Sequence, residues 1–343
     1  MSNSTVPRSR TEAATTEKNP AVSDGTAGSP KAPTGRLSLR LRFRRDRVLL
    51  LMTLPAVLLV LLFNYVPILG NVVAFQDYDP YISDNGIVSI LNSPWVGLEN
   101  FERIFADSAF WNAVQNTLIL FFLQLLLFFP IPILLALLIN SVIRPRVRAI
   151  SQAILYLPHF FSWVLVVAVF QQLFGGAGIF SQLLREHGYS GLDFMTDPDT
   201  FALLITAQSV WKDAGWGIIV FLAALASVSP DLYEAAAMDG AGRWRRMWHV
   251  TLPALRPVIA LLLVLRVGDA LTVGFEQILL QRDMVGPGAA EVLDTFVWWN
   301  GVRNQDFGYA AAAGLVKGVV SIGLVLAANK VAHLMGEQGV YKK

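Results

Sequence analysis

The chain of 343 residues contains no cysteine. That absence excludes disulfides, thiolate metal ligation, iron–sulfur clusters and a cysteine nucleophile. Histidine is scarce. His159, His187, His249 and His333 are far apart, no two share a helical ligand spacing, and no metal site is expected. Charge is scarce as well: Asp, Glu, Lys and Arg make up 15% of the residues, against about 25% in a soluble domain. The net charge of +2 is too small to point to a nucleic-acid partner. No Gly-x-x-x-x-Gly-Lys-Ser/Thr loop, nucleophile elbow or His-Glu-x-x-His helix occurs. No catalytic residue and no cofactor is therefore assigned, and the chain is not read as an enzyme.

Apolar residues, by contrast, reach 54% and gather in six segments at about 48–70, 111–139, 150–173, 201–226, 255–280 and 309–331. Each is long enough for a tilted membrane helix, which needs about 20 residues. The expected fold class is all-α, a polytopic membrane protein of six spans over residues 39–343. Pro130 and Pro132 are expected to kink the second span. Residues 1–38 are polar and rich in Ser, Thr, Pro, Gly and Ala, with no hydrophobic run. They read as a disordered cytoplasmic tail, not a cleavable signal.

Basic residues set the orientation. Arg36, Arg40, Arg42, Arg44, Arg45 and Arg47 precede the first segment. Arg144, Arg146 and Arg148 follow the second, and Arg243, Arg245, Arg246 and Arg256 follow the fourth. Lys330, Lys342 and Lys343 close the chain, while the remaining loops are acidic or mixed. The alternation predicts a multi-pass protein of the cell membrane with both termini cytoplasmic.

Residues 229–253 are a polar, basic loop between the fourth and fifth segments. Ser229 and Pro230 form a helix start, as N-cap and first-turn proline. Asp231 and Glu234 lie toward the positive end of its dipole. Ala235, Ala236 and Ala237 favour helix, and Gly240 supplies a left-handed stop. A second short helix over about 242–250 is expected, ended by Thr251-Leu252-Pro253. A small-faced helix of this kind admits close approach by another protein. It is equally readable as an ordinary loop helix whose arginines meet anionic lipid headgroups.

The order Glu234-Ala235-Ala236, Asp239-Gly240-Ala241 and Leu252-Pro253 resembles the EAA loop of ATP-binding-cassette importer permeases, and it lies between the fourth and fifth of six spans as in the sugar-type importers. Asn64-Tyr65-Val66-Pro67, Trp95-Val96-Gly97-Leu98-Glu99-Asn100-Phe101, Tyr156-Leu157-Pro158-His159-Phe160, Trp211-Lys212 and Gly308-Tyr309-Ala310-Ala311-Ala312 are similar to the carbohydrate-importer permeases, above all the polysaccharide and oligosaccharide group. The resemblance implies a type I importer permease fold. It implies that Glu234, Ala235, Ala236, Asp239, Gly240, Leu252 and Pro253 couple to a cytoplasmic ATPase dimer. It further implies a second homologous permease as heterodimer partner, an extracellular solute-binding protein and a sugar or oligosaccharide as cargo. ATP hydrolysis then falls to a partner chain.

Polar residues inside spans tend to face a bundle interior or a water-filled passage. Trp211, Lys212, Asp213, Trp216, Asp269, Glu276, Gln277 and Lys317 are the candidates for a substrate path, since a sugar needs hydrogen-bonding groups and flat aromatic surface. Asp269, Thr272 and Glu276 are spaced for one helix face. Lys212 with Asp213, and Arg266 with Asp269, are equally readable as ion pairs that lock helices. Ala310, Gly314, Lys317, Gly318 and Ser321 make one small, polar stripe suited to close packing or to lining a cavity. An importer for another solute class and an ion-gradient-driven secondary transporter remain open on these residues alone.

Overall fold

A computed structural model describes residues 47–190 and 193–334. The expected tail at 1–38, Arg36 to Arg45, Lys342 and Lys343 lie outside the described residues. The chain divides into two units, Met1–Leu61 and Leu62–Lys343. In the first, Arg47–Val60 is a helix with no buried residue. It contains Pro55, and Thr53 Oγ1 donates to the Leu50 carbonyl at 3.0 Å.

Among the described residues, six helices are long and apolar enough to cross a membrane: Arg47–Phe75, Ser108–Asn140, Trp163–Glu186, Phe201–Ala226, Arg243–Gly268 and Phe307–Leu334. They are called spans one to six below. An isolated bridge between Gln76 and Trp95 is the nearest thing to a strand in the described residues. In lipid every backbone amide needs an internal partner, and a helix supplies it within one segment.

Span two meets its prolines with a wider turn. Gln124–Phe128 is π-helical, and the Phe129 N–H reaches the Gln124 carbonyl at 2.9 Å, just before Pro130. Pro cannot donate to the ladder, and a π-turn is one way to absorb that missing bond.

The third expected segment is not one helix. Residues 150–173 are split between Pro145–Tyr156, the 3-10 turn Leu157–Phe160 and a new helix starting at Trp163. Pro158 lies inside the turn, Phe161 is extended, and Ser162 caps the new helix by accepting from the Leu165 N–H at 3.3 Å. Proline and a serine cap outweigh hydropathy here. The chain bends again at Gly175 and Gly178, both extended, before Ile179–Glu186.

The fifth segment shifts by a dozen residues. Its helix runs from Arg243 to Gly268 instead of over 255–280. The expected stop at Thr251-Leu252-Pro253 does not occur. A π-turn at Met247–Thr251 carries the helix through, with the Leu252 N–H on the Met247 carbonyl. Beyond Gly268 the chain unwinds, Gly274 is left-handed at φ +56°, and Phe275–Leu279 is a separate short helix. Asp269, Thr272 and Glu276 therefore do not share a helix face; they lie along the break.

Span four runs through the middle of the bundle and packs on span two, the 3-10 turn and span five. Two glycines permit this. A Cβ on Gly215 would lie 1.8 Å from the Leu155 carbonyl oxygen, and one on Gly217 would lie 2.9 Å from the Pro132 ring. Next to this seam Gln208, Gln277 and Gln281 are fully buried. Gln208 and Gln281 exchange amide hydrogen bonds at 3.0 Å. Gln277 Nε2 donates to Gln208 Oε1 at 2.7 Å and to the Ile205 carbonyl at 2.9 Å. Gln208→Leu leaves two buried amides short of partners and is expected to cost about 1–3 kcal/mol. A matching fall in the melting temperature of the detergent-purified protein is the measurement; an unchanged melt would show the cluster to be dispensable.

Candidate coupling segment and passage

Ser229 accepts from the Asp231 N–H at 3.3 Å and caps the helix Pro230–Met238, with Pro230 in its first turn. The far end closes as two reversed bonds: the Gly240 N–H on the Ala237 carbonyl at 3.0 Å and the Ala241 N–H on the Ala236 carbonyl at 2.9 Å. This C-terminal motif needs a left-handed residue, and Gly240 supplies φ +71°. Glu234, Ala235, Asp239 and Gly240 are exposed, Ala236 is half-buried, and Leu252 and Pro253 are half-buried where the helix continues into span five. The Tyr233 hydroxyl lies 3.2 Å from Thr251 Oγ1, which joins the short helix to the start of span five. Among the described residues no ion pair engages Glu234 or Asp239.

The charged residues of span four have partners. The Lys212 ammonium is buried, donates to the His159 carbonyl at 2.8 Å and lies 3.5 Å from Asp213 Oδ1. It also sits 5.3 Å from the Trp163 ring centre. His159 Nδ1 is 2.8 Å from the same Asp213 oxygen, and the His159 ring stacks on Trp216 at 4.6 Å. Lys212, Asp213 and Trp216 are thus brought together at the break in the third segment, with the amine closing the carbonyl end of the 3-10 turn. Trp211 is exposed and lies against Phe161 and Phe170 instead. His159 carries this cluster, yet in the sequence only its place in Tyr156-Leu157-Pro158-His159-Phe160 marks it.

The remaining candidates lie elsewhere. Gln277 is inside the buried amide cluster. The Lys317 ammonium donates to Asp294 Oδ1. Arg266 makes no ion pair with Asp269 among the described residues and donates to Gln124 Oε1 in span two. An open groove of about 750 Å³ is lined by Tyr78, Thr272, Phe275, Asp294, Trp298 and Gly314, among others. It combines aromatic faces with a carboxylate and a hydroxyl, and the small stripe of span six forms part of its wall.

At the ends of spans two and six opposite the coupling segment, two N-caps are tied together. Asp107 accepts from the Ala109 N–H at 2.8 Å and from the Tyr309 hydroxyl at 2.6 Å. Asp306 accepts from the Tyr309 N–H at 3.2 Å and from Arg103 at 2.7 Å, and this bond raises the Arg103 guanidinium above its usual range. Nearby, Arg282 and Glu291 form a buried pair at 2.5 Å, with Trp299 3.7 Å from the guanidinium. Neither arrangement was legible from spacing, because each joins residues remote in sequence or set within the loop between spans five and six.

Residues 128–334 match the family described as "Binding-protein-dependent transport system inner membrane component". The chain is 43% identical over 307 residues to the polygalacturonan/rhamnogalacturonan transport system permease protein YteP of Bacillus subtilis, covering 89% of this chain and 94% of that protein. It is 41% identical to protein LplB of the same organism, covering 87% and 92%. Among solved structures it is similar to a chain of a bacterial ABC transporter involved in the import of the acidic polysaccharide alginate, with 37% identity, a TM-score of 0.78, and 86% and 98% of the two chains covered. A second structure of a bacterial alginate ABC transporter, in complex with an alginate pentasaccharide-bound periplasmic protein, matches at 36% identity and a TM-score of 0.79, covering 88% and 99%. This chain is a multi-pass membrane protein with the type I permease fold, and it belongs to the family of binding-protein-dependent transport system inner membrane components.

Proposed function

We propose that this chain is the permease of an ATP-driven importer for an oligosaccharide. The observation that carries the reading is the exposed, doubly capped helix Pro230–Met238, with Glu234 outside every ion pair of the described residues and its base tied to span five through Tyr233 and Thr251. A helix held at one edge and free on the other transmits a push along the span it is attached to. In this reading it docks on a separate cytoplasmic ATPase dimer through Glu234, Ala235, Ala236, Asp239 and Gly240. Leu252 and Pro253 pass the motion into span five. Both termini are then cytoplasmic, and residues 1–38 are a cytoplasmic tail ahead of a six-span domain.

A second, homologous permease completes the passage, and an extracellular solute-binding protein delivers the cargo. The sugar-type relatives and the alginate importers support both the partners and the cargo class. Asp213, Trp216, Asp269, Glu276 and the groove beside Asp294 and Lys317 have the chemistry of a sugar passage: aromatic faces with hydrogen-bonding groups. Trp211 adds exposed aromatic surface. Lys212 and Gln277 contribute by holding neighbouring groups, since both are buried.

Affinity purification of the tagged chain from its native membrane is expected to bring down a nucleotide-binding subunit. ATP hydrolysis by that complex in nanodiscs is expected to rise on adding a sugar-loaded binding protein. A chain that purifies without any ATPase, from membranes where it still supports uptake, would end this reading.

A further inference from the structure

The second half of the coupling segment has a chemistry the short helix lacks. From Gly240 to Gly268 there is no acidic residue, while Arg243, Arg245, Arg246, Arg256 and Arg266 all occur. Trp244 and Trp248 stand one helical turn apart and are 74% and 62% exposed, with Arg245, His249 and Arg256 exposed beside them. Two exposed indoles in a basic, acid-free stretch are costly in water and fit a surface that is apolar on one side and anionic on the other.

Their position is fixed by the backbone. Arg243–Gly268 is one uninterrupted helical run, so the band cannot swing independently of span five. Trp248 lies four residues, or about 6 Å along the axis, before Leu252. The headgroup layer on each side of a bilayer is about 5–8 Å deep. Trp248 therefore falls in that layer when Leu252–Gly268 fills the hydrocarbon, with Trp244 one turn, about 6 Å, further out. Arg245 lies just outside the same layer, and Arg256, one turn inside Leu252, extends its long side chain back to it, so both charges meet lipid phosphates.

We infer that Trp244, Arg245, Trp248 and Arg256 form a band that docks on anionic lipid headgroups. The inference rests on the reading of 229–253 as a cytoplasmic coupling segment. The band divides that segment in two. Pro230–Met238 stays free for the motor, and the stretch from Arg243 onward is held to the membrane. Gly240, left-handed and unobstructed, is the joint between them. Anionic lipid then sets the height and tilt at which the short helix is offered to its partner.

The absence of cysteine supplies the probe. His249→Cys gives a single spin-label site in the full-length chain and leaves the band's indoles and arginines in place. The labelled protein is placed in nanodiscs of phosphatidylcholine alone or of phosphatidylcholine with phosphatidylglycerol. In the anionic discs the label is expected to collide more with oxygen than with a water-soluble nickel chelate. Adding Arg245→Gln is expected to lower the ratio of docked to undocked label about fivefold. Adding Trp244→Ala with Trp248→Ala is expected to remove the docked population, with the yield of folded protein unchanged.

A label equally open to the nickel chelate in both lipids overturns the proposal. So does a label shielded only after the ATPase subunit is added; the band then belongs to the motor, and the coupling reading survives. Docking to anionic lipid combined with normal uptake by Glu234→Ala separates the two the other way: the band stands and the coupling reading falls.

Discussion

Glu234→Ala and Gly240→Leu are expected to lower uptake about 5- to 150-fold while the membrane complex stays folded. Glu234 is exposed, and alanine is the better helix former, which offsets the small loss of a favourable charge–dipole interaction. What goes is the charge that the proposed coupling presents to the ATPase. Gly240 acts differently. No atom lies within 4 Å of a Cβ placed there, so leucine clashes with nothing. It must instead hold φ +71°, which costs an L-residue about 1–2 kcal/mol and favours a different exit from the helix. The short helix would then be re-aimed relative to span five. A coupling free energy of about 1–3 kcal/mol corresponds to a loss of about 5- to 150-fold in uptake. The check is uptake in cells alongside ATP hydrolysis by the purified complex. Hydrolysis that continues while uptake collapses supports the reading; full uptake by both variants would contradict it.

The largest expected effect on stability comes from Gly215→Ala. In an open helix position this change is favourable by about 1 kcal/mol. Here the added methyl would lie 1.8 Å from the Leu155 carbonyl oxygen and 2.5 Å from its carbon. Both are backbone atoms on the far side of the span-four seam, so no rotamer change relieves the contact. The helix ending at Tyr156 and span four must separate, at a cost of about 3 kcal/mol or more. That separation also parts His159 from Asp213 and Trp216. Gly314→Ala and Gly318→Ala are the controls: both lie inside a helix, neither Cβ would meet an atom within 4 Å, and each is expected to raise stability by about 1 kcal/mol in the isolated chain. Thermal melting in detergent ranks the three. A Gly215→Ala protein that melts with its parent would mean the seam is looser than its geometry indicates.

Much of the fold was legible because it is written in local chemistry. Six long apolar blocks gave six spans, since a bilayer of fixed thickness demands about 20 apolar residues in each. Ser229-Pro230 and Gly240 marked both ends of the helix Pro230–Met238, since capping depends on residues a few positions apart. The breaks were harder to read. An average of hydropathy over 20 residues does not register a turn of four, so neither the turn around Pro158 nor the one at Gly274 stands out.

The candidate passage was the least legible part. Lys212 and Gln277 are polar residues in apolar surroundings, which marks them as significant without saying what they touch. Lys212 caps a turn that lies 53 residues earlier in the chain, and Gln277 meets Gln208 across 69. Asp269, Thr272 and Glu276 have perfect helical spacing, yet spacing carries meaning only where the helix persists, and it ends at Gly268.

By itself the sequence determined the solvent in which this protein folds, the number of crossings and the capped helix between the fourth and fifth. Each of these follows from composition, length or near-neighbour hydrogen bonding. Only the tertiary structure decided where two of the six segments break, which buried charges are spoken for and which remain exposed. A buried polar group must find a partner within about 3 Å, and which partner comes that close depends on how glycines and prolines far apart in the chain let the helices meet.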